Sequence, residues 1–91
     1  MDMNKSIPLQ KNYAYGYYFR GLSELEIEEY ISAINDFSKA IEYNNTNARF
    51  YYFRGFARYN NKQKEGACLD WSKAGEMGMP EAYETIKDNC N

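Results

Sequence analysis

The sequence predicts an all-α fold of two antiparallel helix hairpins and one closing helix. Three observations carry this. The chain repeats itself at 34 residues: Ala14, Tyr17, Tyr18, Phe19, Arg20 and Gly21 fall on Ala48, Tyr51, Tyr52, Phe53, Arg54 and Gly55. The match resumes with Ala33, Asp36, Ser38, Lys39, Ala40 and Glu42 on Ala67, Asp70, Ser72, Lys73, Ala74 and Glu76, while Phe37 meets Trp71. A fixed period of this length marks a repeated supersecondary unit. Within the unit, Tyr30, Ile34, Phe37 and Ile41 recur at helical spacing and form one apolar stripe. Finally, 44% of residues are hydrophobic and 18% aromatic, with ten Tyr and five Phe, and so many rings require a packed interior.

The elements follow in order. Residues 1–9 show no periodicity and are expected to form a mobile lead-in to a single domain over residues 10–91. The first repeat covers about 14–47, with helices near Tyr13–Leu25 and Glu29–Tyr43. The polar run Asn44–Asn47 separates the units and offers Asn47 as an N-cap. The second repeat covers about 48–79, with helices near Ala48–Asn60 and Gln63–Glu76. Gly78 then suits a helix stop and Pro80 a fresh first turn, opening a closing helix over about 80–90. A chain of 91 residues buries a modest share of its surface, so its core has to be regular or assisted.

At these positions the chain resembles the tetratricopeptide (TPR) repeat, whose period is the same. Tyr17 and Tyr51 stand at the first-helix aromatic, and Gly21 and Gly55 at the close approach of the helices. Ala33 and Ala67 match the small residue at the crossing, Phe37 and Trp71 the second-helix aromatic, and Ala40 and Ala74 the small residue a turn later. The resemblance spans Tyr13 to about Gly78. It departs at Asn45, where a proline usually ends the unit, at Glu24 and Arg58, where an aromatic is common, and at Lys64, where the first unit keeps Tyr30. The resemblance implies a right-handed α-solenoid whose last helix caps the apolar face of the final unit.

The same resemblance implies a concave groove lined by the outward faces of the first helices, where the family holds peptides. By matching position its lining is Tyr15, Tyr18, Phe19, Leu22 and Leu25 from one helix and Arg49, Tyr52, Phe53, Phe56, Tyr59 and Asn60 from the next. About half of these rings are expected to be core or covered by the lead-in. Contiguous aromatic surface signals a partner. The expected function is a scaffold that buries a polypeptide segment, or another copy of itself, in that groove, with Arg49 favouring an acidic neighbour. Family members that hold chaperone C-termini do so with polar side chains, and Tyr18, Leu22 and Phe53 stand in those places here. Binding of that kind is not expected.

Charge and chemistry narrow the alternatives. The net charge is −2, so general affinity for nucleic acid or anionic lipid is not expected. Its distribution is dipolar: residues 21–47 hold six acids and one base, whereas 48–64 hold five bases and no acid. The alternative reading is therefore single-stranded nucleic-acid binding through 48–64, where bases alternate with rings able to stack. There is no histidine, no phosphate-cradling glycine loop and no nucleophile motif, and two cysteines cannot hold zinc by themselves, so neither catalysis, a metal nor a cofactor is expected. Nothing in the first ten residues resembles a secretory signal and no apolar run reaches membrane-spanning length, so a cytoplasmic protein is the expectation.

Two side-chain pairings are predicted. Arg20 with Asp36, and Arg54 with Asp70, recur in both units at comparable heights on paired helices, where a charge-assisted pair would fix each hairpin; the alternative is that each Arg only lays its stem along the aromatic surface. Cys68 and Cys90 lie on either side of Gly78, so helices folding back about that glycine bring the sulfurs together. A disulfide stapling the closing helix and a pair of buried thiols are both compatible with this, since a cytoplasmic address keeps thiols reduced.

Overall fold

A computed structural model describes the backbone of residues 3–90 and the side chains of residues 13–90. It contains α1 (Met3–Glu26), α2 (Tyr30–Tyr43), α3 (Ala48–Asn60), α4 (Lys64–Glu76) and α5 (Glu81–Asn89). Consecutive helices pack on one another: α1 with α2, α3 with α4, α2 with α3 and α4 with α5. This is the α-solenoid of two hairpins and a closing helix. Helix α1 begins at Met3 rather than near Tyr13. The lead-in expected over 1–9 lies outside the described residues at its side chains and, for Met1 and Asp2, altogether.

The turns that fold each hairpin share one backbone design. At the end of α1 the N–H of Glu29 reaches the carbonyl of Glu24 and that of Glu28 the carbonyl of Leu25. At the end of α3 Gln63 reaches Arg58 and Lys62 reaches Tyr59, and at the end of α4 Met79 reaches Ala74 and Gly78 reaches Gly75. These are Schellman closures, which need one residue in the left-handed region. Gly78 supplies it at φ 101°, but Glu28 (φ 68°) and Lys62 (φ 66°) supply it without being glycine. Between the hairpins, Asn44 Oδ1 accepts from the Thr46 N–H at 3.1 Å, and Asn47 Oδ1 accepts from the Arg49 N–H at 3.0 Å, making Asn47 the N-cap of α3.

Each hairpin closes on a ring that meets a glycine. A Cβ added to Gly21 would lie 2.8 Å from the Phe37 ring, and one added to Gly55 2.5 Å from Trp71 Nε1, so both positions are small because the opposing helix occupies the space. The first core gathers Ala14, Tyr18, Ala33, Phe37, Ala40, Phe50 and Ala57; the second gathers Ala67, Trp71, Ala74 and Ala82 around the indole. Trp71 Nε1 donates to the Tyr52 carbonyl at 3.1 Å, so the buried indole keeps a partner.

The predicted Arg–Asp pairs are present in both hairpins. Arg20 donates from Nε to Asp36 Oδ2 at 2.6 Å and from Nη2 to Oδ1 at 2.8 Å. Arg54 does the same to Asp70 at 2.9 Å twice, and also donates from Nη1 to Ser38 Oγ of α2 at 3.0 Å. Each guanidinium lies over the tyrosine one turn before it, Tyr17 or Tyr51, at 5.6 Å. The hydrogen bonds from Arg20 hold the Asp36 carboxyl below its usual range despite the opposing effect of burial. Glu24 completes the first cluster. Burial, and then the adjacent Asp36, push it up to about 7, and its Oε1 is buried without a hydrogen-bond partner. In the second hairpin Arg58 takes that place and donates to Asp70 Oδ2 at 3.2 Å.

Candidate partner-binding groove

Helices α1 and α3 lie side by side and present exposed and half-buried rings that are joined through the buried rings of Tyr18, Phe50 and Trp71. Phe19 is the most exposed of them, at 59%, and stacks on Tyr15 with centroids 6.1 Å apart. Tyr15 meets Phe50 edge-on at 5.8 Å, and its hydroxyl accepts from Asn47 Nδ2 at 3.3 Å, tying α1 to the start of α3. From there the row passes through Phe53 and Phe56 (6.3 Å) to Trp71 (5.2 Å), and ends at Tyr59, which rests on the indole at 5.6 Å. Edge-on and offset contacts at such distances favour a rigid aromatic surface.

The residues predicted to line this groove divide three ways. Tyr15, Phe19, Arg49, Tyr59 and Asn60 are exposed, and Leu22, Leu25, Phe53 and Phe56 are half-buried with one side open. Tyr18 is a correction: it is only 7% exposed and belongs to the first core. Its ring sits 4.9 Å from Phe50 and 6.0 Å from Phe37, because the next hairpin packs directly over it; burial raises the hydroxyl's pKa, while Arg49 lowers it by a smaller amount. Tyr52 is half-buried and structurally committed. Thr85 Oγ1 donates to the Glu81 carbonyl, leaving its lone pair for the Tyr52 hydroxyl at 3.1 Å, so α5 forms one wall of the groove. Sequence reasoning missed Thr85; an isolated threonine in a polar helix carries no signal of this contact.

The basic stretch 48–64 is less available than its sequence suggests. Arg54 and Arg58 both spend their donors on Asp70, and Phe50 is fully buried. Arg49, Lys62 and Lys64 remain exposed, the first at the start of α3 and the others at the opposite end of the hairpin.

Cys68 and Cys90 are joined in a disulfide, with Cα atoms 6.1 Å apart. Of the two states open at the sequence level, the structure has the bonded one. It closes an open groove between α4 and α5 whose walls include Leu69 and Ile86. Among the described residues no helix is long and apolar enough to cross a membrane.

Comparison with curated proteins and with solved structures returned no match. The sequence profile of the TPR repeat family matches residues 21–62, from the glycine that meets Phe37 through α2 and α3. TPR repeats are generally protein–protein interaction modules and typically non-catalytic. The period, the hairpin geometry and this match over residues 21–62 converge, and the five helices are consistent with tetratricopeptide repeats closed by a capping helix.

Proposed function

We propose that residues 10–91 act as one TPR-like domain that binds a segment of another polypeptide in the groove between α1 and α3. The observation that carries this is the set of rings exposed at Tyr15, Phe19 and Tyr59 and half-buried at Phe53 and Phe56, held in place by the buried rings of Tyr18 and Trp71. Rigid rings with one buried edge add contact area at little entropic cost, which is why aromatic residues dominate binding hot spots. An apolar segment would lie on Phe19, Leu22, Phe53 and Phe56. An acidic residue beside it would reach Arg49, which is exposed and makes no ion pair among the described residues.

Nucleic-acid binding has less support, because two of the five bases in 48–64 hold Asp70 and one of the rings is core. The experiment is selection of peptides on the immobilised protein, followed by affinity measurement at rising salt. Apolar peptides whose affinity changes little with salt support the groove reading; preference for a fluorescent single strand, with a steep salt slope, would replace it.

A further inference from the structure

The two hairpins differ in what covers their leading face. In the second, Arg54 is only 15% exposed because α2 lies across it and Ser38 takes its third donor. In the first, the equivalent Arg20 is 64% exposed. Beside it Tyr13, Gly16 and Tyr17 line an open concavity of about 280 Å³, and a Cβ added at Gly16 would meet nothing within 4 Å. The face is the same one, without the helix that fills it.

The chain itself shows which helix fits. Helix α4 repeats α2 at the 34-residue period, with Ser72, Lys73, Ala74 and Glu76 where α2 has Ser38, Lys39, Ala40 and Glu42. What occupies α4 is α5, whose Tyr83 ring lies against Gly75: a Cβ there would come within 2.6 Å of it. Two periods before α5 stands α1, and its open face carries Arg20, the equivalent of the Arg54 that reaches Ser38 of α2, while α4 carries Ser72 at the Ser38 position. Helix α1 is thus a second candidate for the seat that α5 holds. Helix α5 has only nine residues, too few to be stable undocked, and the Cys68–Cys90 bond ties its far end to α4 in addition to the main-chain link.

We propose that the leading face of α1 binds α4 of a second copy in place of α5, so that the chain stacks head to tail, and that the Cys68–Cys90 disulfide blocks this by locking α5 in its seat. Opening the lock consumes two electrons and two protons per bond. A dithiol reductant supplies them, closes into its own cyclic disulfide and leaves Cys68 and Cys90 as thiols. In a reducing compartment the chains stack; in an oxidising one they stay capped. A head-to-tail contact of this kind does not close on itself and adds copies as concentration rises.

The test is molar mass by light scattering across a concentration series, with and without dithiothreitol, and with helix content followed by circular dichroism. The oxidised chain is expected at 10.7 kDa, and the reduced chain at least twofold heavier at high concentration, with a helix signal lower by no more than the nine residues of the displaced α5. Gly16→Arg adds bulk and charge to the open face from a position where a Cβ meets nothing within 4 Å, so it should hold the reduced chain at monomer mass, whereas Phe19→Ala, in the groove, should not. A Cys68→Ser/Cys90→Ser chain should assemble without reductant. A reduced chain that stays monomeric, a mass increase that survives Gly16→Arg, or one that comes with a loss of helix larger than the nine residues of α5 would each overturn the proposal.

Discussion

Arg54 holds Asp70 by two parallel hydrogen bonds, Nε to Oδ2 and Nη2 to Oδ1, both 2.9 Å, and the carboxylate side chain is only 5% exposed. Arg58 adds a third donor to the same carboxylate. Removing the charge of Asp70 leaves two partly buried guanidinium groups without their counter-charge and with one acceptor oxygen in place of two. Asp70→Asn should therefore destabilise the fold by about 3–5 kcal/mol, the cost of breaking a buried pair from one side. Asp36→Asn should cost clearly less, because Arg20 is largely exposed and water can replace its partner. Urea denaturation of the two variants checks this, and equal losses would contradict it.

Glu24 predicts an unusual pH dependence. Its carboxyl faces Asp36 from α2, Arg20 one turn back on α1 and Glu29 at the start of α2. The folded value near 7 lies above the ordinary 4.5, so the fold binds this proton more tightly than the unfolded chain does. The stability it contributes is complete below the unfolded value and is lost as pH rises through about 7. Asp36 acts oppositely: its lowered value contributes stability above the ordinary 3.8 that is lost as pH falls through the folded value. The melting temperature should therefore fall from about pH 5 to about pH 8. Glu24→Gln should flatten that slope, and Glu24→Arg, which copies Arg58 of the second hairpin, should raise stability at neutral pH. A wild-type melting temperature that is level across the range would contradict the assignment.

The two hairpin turns offer a gain in stability. Glu28 and Lys62 hold left-handed backbone at φ 68° and φ 66°, where a side chain is strained and glycine is not. Net of the extra freedom glycine brings to the unfolded chain, Glu28→Gly and Lys62→Gly should each stabilise by roughly 0.5–1 kcal/mol. Gly78→Ala, at φ 101°, should go the other way. Thermal melts of the three variants decide it.

The disulfide should contribute by constraining the unfolded chain. It spans 22 residues, for which loop-closure entropy amounts to about 3 kcal/mol. Replacing both cysteines by serine should lower the denaturation midpoint accordingly, at a protein concentration low enough to keep the chain monomeric.

How much of this is legible in the sequence depends on whether a feature repeats. The hairpins, the glycines opposite Phe37 and Trp71, and both Arg–Asp pairs recur at one period, and each recurrence is evidence for the other. Features that occur once, or that depend on the next repeat, are harder to read. Tyr18 shares the helix face of Phe19, but Phe50 packs over the first ring and not the second, a difference visible only once α3 is in place. Glu28 and Lys62 show no glycine to mark their left-handed turns, although they too lie one period apart. The long start of α1 has no apolar stripe to announce it. The groove is read best at its exposed rings and worst at Tyr52, whose hydroxyl belongs to α5.

The central claim is that the aromatic row binds a polypeptide. Phe19 is the residue to test, since it is the most exposed ring of the row and its truncation leaves both cores intact. The measurement is the affinity, by isothermal titration calorimetry, of a peptide selected on the oxidised wild-type protein for wild type and for Phe19→Ala. A loss of about tenfold or more, as expected for a hot-spot ring, with unchanged helix content, is the predicted result. Unchanged affinity for Phe19→Ala, repeated with Tyr59→Ala at the other end of the row, would place the binding surface elsewhere and contradict the account.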